Sequence, residues 1–231
     1  MELGTCTAFV TGANRGLGRH LTIELVRRGA KVYAGVRNPA DLDVYGVIPV
    51  TVDVTDLNAV AHAAEVAGDV TLVVNNAGSA LGGSLLTGDL EGCQRDVATN
   101  YFGPLNVIRA FVPVIESNGG GAILNVLSML SWVAWPAIGG YCASKSAAWS
   151  MTNAVRLELA AKNIGVTALH VGTMDTDMTA GYDIPKSDPA EIARVALAGL
   201  AEGLPEVIAD DATRMVQSQL SGGVSALYPD R

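Results

Sequence analysis

The sequence predicts an α/β fold: a doubly wound, seven-stranded, mostly parallel sheet with helices on both faces. Three observations predict it. Short β-branched runs alternate with longer stretches of helical periodicity, the pattern of a parallel sheet covered on both sides. The first such run opens directly into a glycine-punctuated turn followed by an amphipathic stretch. The chain has 231 residues, 49% hydrophobic and 16% charged, enough for one substantial core.

The strands are expected at "CTAFVT" (6–11), "KVYAGV" (31–36), "VIPVTVD" (47–53), "VTLVVN" (70–75), "AILNVL" (122–127), "VTALHV" (166–171) and "EVIAD" (206–210). Helices are expected at about 15–28, 56–67, 92–116, 141–162 and 188–203, several opened by a capping residue such as Asp56 or the Asp188-Pro189 pair. The closing stretch "DATRMVQSQL" reads as one more helix. Right-handed crossovers between parallel strands then require winding in both directions from the first strand. Glycine-rich patches at 78–83, 118–121 and 221–223 fall between elements, and no repeat or linker divides residues 1–231, so a single domain is expected.

Composition excludes several functions. A formal charge of −8 without a Lys/Arg run argues against nucleic acid and anionic membrane, both of which need concentrated positive charge. Mean hydropathy is +0.32, yet no window holds an uninterrupted apolar span, and the N-terminal residues lack a secretory pattern; a cytoplasmic protein is expected. Cys6, Cys93 and Cys142 have neither CxxC nor metal spacing and read as reduced packing residues. His20, His62 and His170 show no metal spacing either, and His170 reads as a hydrogen-bonded strand-end residue.

The turn after the first strand, "TGANRGLGRHLTIEL" (11–25), places Gly12, Gly16 and Gly18 where a backbone must approach a ligand closely, immediately before a helix N-terminus. Unpaired N–H groups and a positive dipole end there suit a pyrophosphate, which makes the fold a dinucleotide-binding, Rossmann-type domain. The second strand ends at Val36, where an acid would otherwise hold the adenosine ribose, and Arg37 follows with Arg15 inside the loop. Two guanidinium groups around a missing acid suit a 2′-phosphate, so NADP(H) is expected over NAD(H). Asp53 has two readings: it accepts from the adenine amino group, or it only caps the following turn.

The fourth strand ends in "NNAG" (75–78), and with it the chain resembles the short-chain dehydrogenase/reductase family. TGxxxGxG at 11–18, NNAG at 75–78, Asn100 in "VATNYFG", Ser128 after the fifth strand and YxxxK at 141–145 occur in the family's order, and Ser128 precedes Tyr141 by the usual 13 residues. The resemblance implies a catalytic set of Asn100, Ser128, Tyr141 and Lys145. It also implies cofactor contacts from Gly12, Asn14, Arg15, Gly16, Leu17, Gly18, Arg37, Asp53, Val54, Asn76, Ala77, Gly78, Tyr141, Lys145, Gly172 and Thr176. Lys145 would hydrogen-bond the nicotinamide ribose, and Asn100 would help hold a water linking the lysine to solvent. A homotetramer or homodimer packed through the helices at 92–116 and 141–162 is implied as well.

The residues support this chemistry independently. A phenol is a proton donor at neutral pH and a poor base, and a cation at i+4 on the same helix face favours its charged form. Charge that develops on a carbonyl oxygen during hydride transfer needs a donor, which Ser128 supplies at a strand's carboxyl end, and a proton, which Tyr141 supplies. Ser131 and Ser144 are off register and receive no proton role. Met129, Trp132 and Trp135 are candidate pocket residues, and Tyr182 in "AGYDIPKSD" a candidate lid residue. The family's PGxxxT segment reads "VGTMDT" here, with Val171 at the proline position. The short loop after Thr176 suggests an open pocket suited to a bulky or varied carbonyl substrate. The leading reading is an NADPH-dependent carbonyl reductase acting reversibly as an alcohol dehydrogenase; the alternative is a catalytically idle NADP(H)-binding sensor or interaction protein on the same fold.

Overall fold

A computed structural model gives the protein's structure and describes residues 1–229. Seven strands form one sheet: β1 (Thr7–Thr11), β2 (Lys31–Val36), β3 (Ile48–Thr51), β4 (Leu72–Asn75), β5 (Gly121–Val126), β6 (Ile164–His170) and β7 (Glu206–Ile208). Their order is β3-β2-β1-β4-β5-β6-β7, and the chain reverses direction across the sheet between β1 and β4. Every pairing is parallel, in keeping with the expected seven-stranded, mostly parallel sheet. Each strand returns by a crossover that covers a face, and no hairpin adds an antiparallel edge.

The helices are α1 (Gly16–Arg27), α2 (Leu57–Val66), α3 (Leu90–Val97), α4 (Gly103–Ser117), α5 (Gly139–Leu159), α6 (Pro189–Ala201), α7 (Asp211–Gln219) and α8 (Gly223–Leu227). Alternate strand residues feed opposite faces. Val10, Leu124 and Leu169 meet Leu21 and Leu25 of α1 and Leu197 of α6 on one side. Phe9 and Ile123 meet Val60 of α2, Phe111 and Ile115 of α4 and Val155 of α5 on the other. Phe9 and Phe111 stack at 4.5 Å between ring centroids, and each fully buried ring contributes roughly 1.5–3 kcal/mol of transfer free energy.

Local chemistry sets the helix starts. Asp56 accepts from the N–H groups of Asn58 and Ala59, and Asp188 from Ala190 with Pro189 at the first helical position, as the sequence predicts. The helix expected over 92–116 runs from Leu90 to Ser117, capped by Asp89, with a π turn over Ala98–Phe102 between α3 and α4. Pro104 explains this turn, because it has no N–H to continue the ladder into the first turn of α4. Helix α5 begins two residues earlier than expected, at Gly139-Gly140. A Cβ at Gly139 would lie 2.7 Å from Leu85 Cγ and one at Gly140 2.6 Å from Cys93 Sγ, so this helix start lies against the loop after β4 and against α3. The last strand stops at Ile208 and not at residue 210, because Asp210 serves as the N-cap of α7. No helix among the described residues is long and apolar enough to cross a membrane.

Candidate active site

The carboxyl ends of β1, β4, β5 and β6 gather the predicted site residues at the sheet's reversal point, where open α/β sheets bind ligands. Gly12 and Gly16 adopt φ of +65° and +52°, the left-handed region that side chains disfavour. Gly18 packs against the Gly12 carbonyl and the Asn76 side chain with no room for a Cβ. Helix α1 opens at Arg15 with no side-chain cap and no acid in its first turn, so its leading N–H groups stay available to an anion. These residues fit a dinucleotide pyrophosphate. Leu17 is buried in the core, so only its backbone can face a ligand, and Asn14 is half-buried in the turn.

Asn76 is a brace. Its amide donates to the Thr11 carbonyl at 3.0 Å and the Gly12 carbonyl at 3.2 Å, while Thr11 Oγ1 accepts from the N–H groups of Asn76 (3.0 Å) and Ala77 (3.1 Å). The NNAG segment therefore holds the glycine loop in shape from the next strand.

Arg15 and Arg37 are both exposed at the mouth of this groove. Arg15 lies 4.0 Å from Asp177, a weak contact between the glycine loop and the segment after β6. Asp53 Oδ1 accepts from the N–H and hydroxyl of Thr55 at 2.9 and 2.7 Å, the turn-capping alternative. Those bonds, and more weakly the charge of Arg37, hold its carboxyl below the usual carboxylate range. Val54 is buried against Gly103, and its carbonyl accepts from Asn106 at 3.1 Å.

At the chemical end, Tyr141 and Lys145 stand one turn apart on α5, with Lys145 Nζ 5.8 Å from the phenol ring centre. Lys145 Nζ donates to the Val126 carbonyl at 2.8 Å, and burial pulls its pKa down to about 8. Burial pushes the Tyr141 phenol up to about 12, opposed by a hydrogen bond with the Ser128 hydroxyl and reinforced by Cys142 and by Asp96. The expectation that Lys145 lowers the Tyr141 pKa is not met in the free protein, where loss of water dominates and Lys145 is not among the groups that shift the phenol.

Asn100 is buried in the π turn, a distortion frequent at functional sites. Its side chain is committed to protein: Nδ2 donates to the Ser79 carbonyl and to Ser144 Oγ, both at 2.8 Å, and Oδ1 accepts from the Ser79 N–H at 2.9 Å. The Asn100 carbonyl has no helical donor four residues on, because that residue is Pro104. A Cβ on Gly78 would sit 3.1 Å from Asn100 Oδ1 and 3.9 Å from Lys145 Nζ, so the NNAG glycine lies between them.

Ser128 is buried after β5, and its Oγ accepts from the Leu130 N–H at 3.1 Å. His170 is a buried strand-end residue as expected, with Nδ1 3.4 Å from the Ser128 carbonyl and its ring stacked on Trp132 at 4.0 Å. Burial lowers its pKa, with Glu206 opposing. Trp132 covers the end of β6, Trp135 and Tyr182 are exposed, and Met129 packs with Leu130 and Cys142 in a small cluster that Tyr141 adjoins. Gly172 and Thr176 follow β6, and Thr176 lies against Gly16 across the groove.

The sequence reading missed the supports. Asp96 is fully buried and accepts from Ser79 Oγ (2.7 Å) and from the N–H groups of Leu81 (2.9 Å) and Gly82 (3.0 Å), fixing the loop after NNAG. Ser144, given no proton role, bridges Asn100 and the Tyr141 carbonyl, and Ser131 Oγ accepts from the Ser128 N–H at 3.3 Å. A Ser two or three residues from each motif was the only available signal, and it does not reveal a partner fifteen to forty residues away.

A parallel sheet in this order, a glycine turn ahead of an uncapped helix, and a half-buried Tyr141 between buried Ser128 and Lys145 at the strand ends define a nucleotide-dependent oxidoreductase architecture. A family model described as "short chain dehydrogenase" matches residues 6–186, and the chain belongs to the short-chain dehydrogenase/reductase family, which uses NAD(P). A short chain dehydrogenase from Burkholderia cenocepacia, solved in complex with NADP, superposes with a TM-score of 0.95 at 41% identity, covering 99% of this chain and 98% of that one. L-xylulose reductase of Mus musculus is 34% identical over 87% of this chain and 86% of its own length. The protein named "Probable oxidoreductase EphD" of Mycobacterium tuberculosis is 34% identical over 82% of this chain, which spans only 35% of that relative's length.

Proposed function

We propose that the protein is an NADP(H)-dependent oxidoreductase that reduces a ketone or aldehyde to an alcohol, reversibly, with one domain carrying both cofactor and substrate sites. The observation that carries the reading is the Lys145 ammonium 5.8 Å from the Tyr141 ring centre, one helical turn along α5, with buried Ser128 at the neighbouring strand end. When bound, the nicotinamide supplies or accepts the hydride. Ser128 donates to the substrate oxygen and fixes its position, so charge developing there meets a preset donor. Tyr141, protonated throughout the neutral range, delivers the proton in the reducing direction. Lys145, charged below about pH 8, offsets the burial that disfavours the phenolate when the reaction runs towards the ketone. The Asn100 carbonyl, whose i+4 residue is Pro104, is a candidate acceptor for a water that reconnects Lys145 to solvent.

Arg15 and Arg37 at the groove mouth favour the 2′-phosphate, and the NADP complex of the Burkholderia protein and the reductase activity in the mouse protein's name point the same way. The exposed Trp135 and Tyr182 suit a bulky or varied carbonyl substrate. A groove of about 830 Å³ between α4 and α5, floored by Ile108, Met151 and Val155, supports a homodimer or homotetramer, and a cytoplasmic location completes the reading. The test is oxidation of NADPH and NADH against a panel of ketones and aldehydes, with Tyr141→Phe as control. Turnover that prefers NADPH and drops at least about a thousandfold in the variant is expected. Cofactor binding without turnover by the wild type would leave an idle NADP(H)-binding protein.

A further inference from the structure

A capping aspartate needs one oxygen for its helix, and Asp210 uses both of its own. Oδ1 accepts from the Thr213 N–H at 2.8 Å, the ordinary N-cap bond of α7. Oδ2 accepts from the Gly172 N–H at 2.6 Å, which reaches back to the segment leaving β6. Gly172 offers no side chain at this contact, and a Cβ there would stand 3.1 Å from Asp210 Oδ1. The preceding residue, Val171, has no ring to fix its φ, and its carbonyl accepts from the Met129 N–H at 3.0 Å, immediately beside Ser128. Further along, the Ser187 N–H donates to the Thr173 carbonyl at 2.9 Å and the Asp175 N–H to the Ser187 carbonyl at 3.0 Å, and Thr176 rests on Gly16. The segment from Gly172 to Thr176 is thus held at both ends, and at its first residue the hold is a charged hydrogen bond from outside the cofactor groove.

We infer that Asp210 is a positioning residue that sets the 172–176 segment against the nicotinamide end of the bound dinucleotide, coupling α7 to the site. The inference rests on reading that segment as the nicotinamide contact. A charge-assisted bond from a carboxylate to a backbone N–H is stronger than a neutral one, so its loss frees the segment at Gly172, the end away from the Thr176–Gly16 contact with the phosphate loop.

Asparagine separates the two jobs. In Asp210→Asn the remaining carbonyl still caps Thr213, while an NH2 group faces the Gly172 N–H donor to donor. Asp210→Ser likewise keeps a good cap but is too short to reach both partners. Binding is measured with NADPH and with 2′,5′-ADP, which carries the phosphate but no nicotinamide. Both variants are expected to bind NADPH about tenfold more weakly than wild type, to bind 2′,5′-ADP within about twofold, and to melt within a few degrees of it. Equal losses for the two ligands, or unchanged NADPH binding in a folded variant, would overturn the assignment. Hydrogen exchange of the wild-type protein gives a second reading free of any variant: the Gly172 amide is expected to be protected, and fast exchange there would also overturn it. Neither measurement uses turnover, so failure of the ketone panel and failure of this clamp are read separately.

Discussion

The two ends of the groove are built on opposite principles. The phosphate end relies on backbone: left-handed Gly12 and Gly16, a Gly18 with no space for a Cβ, and the uncapped start of α1. Its binding groups are N–H dipoles that carry no desolvation penalty as ions, and its arginines stay exposed. The chemical end relies on buried side chains whose charged forms are disfavoured, Lys145 pulled down and Tyr141 pushed up by loss of water. One end is specified by shape and tolerates no added atoms; the other is specified by charge and responds to pH.

The comparison is broken most directly at Gly18. Gly18→Ala adds one methyl group between the Gly12 carbonyl and the Asn76 amide, both of which hold the loop, so either the turn or its brace must move. Dinucleotide affinity is expected to fall by about a hundredfold, measured by titration with NADPH, although alanine is the better helix former at that position. An unchanged affinity would show that the loop has slack the packing does not suggest.

That difference in construction also decides what could be read from the sequence. The phosphate end is local: glycines, the helix that follows and the arginines lie within one βαβ unit, and the expected strand 31–36 matches β2 residue for residue. The parallel sheet was legible for the same reason, since each strand carries its own β-branched run. Positions of Ser128, Tyr141 and Lys145 were legible through spacing. Their electrostatics were not, because the pKa of Tyr141 depends on burial and on Ser128 and Asp96, which only the assembled fold brings near. Asn100 shows the same limit: the family resemblance implied a water-holding role, but its amide is spent on Ser79 and Ser144, partners only the assembled fold reveals.

Arg37→Asp tests the phosphate end by charge, where Gly18→Ala tests it by shape. Reversing the charge just after β2 places an acid one residue beyond the position that would hold a ribose hydroxyl and removes a fork suited to a 2′-phosphate. The ratio of NADPH to NADH affinity is expected to drop by about thirtyfold, mainly through loss of NADPH binding, as measured by titration with each cofactor. Equal changes for both would remove Arg37 from cofactor selection and leave Arg15 to carry it.

The smallest effect belongs to the chemical end and is read against pH. Burial holds the Lys145 pKa at about 8, from an ordinary 10.5, so its positive charge is present below pH 8 and lost above it. For ketone reduction, kcat/KM reports ionisations of the free enzyme and is expected to be level to about pH 7, halved near pH 8 and about tenfold lower at pH 9. Tyr141, at about 12, stays protonated across this window and cannot produce the fall. Lys145→Arg keeps its charge, so whatever activity it retains is expected to show no such limb; a limb that persisted in the variant would belong to another group. Stability moves the other way. Because the folded-state pKa lies below the unfolded one, the unfolded chain binds more protons between about pH 8 and 10.5, and the contribution of Lys145 to stability rises with pH over that range. Denaturant titrations of wild type and Lys145→Met at pH 7.5 and 9.5 isolate this term: the wild type is expected to gain on the variant at the higher pH, while its activity is falling. A gap that widened against the wild type would mean that Lys145 is not the buried cation its surroundings make it.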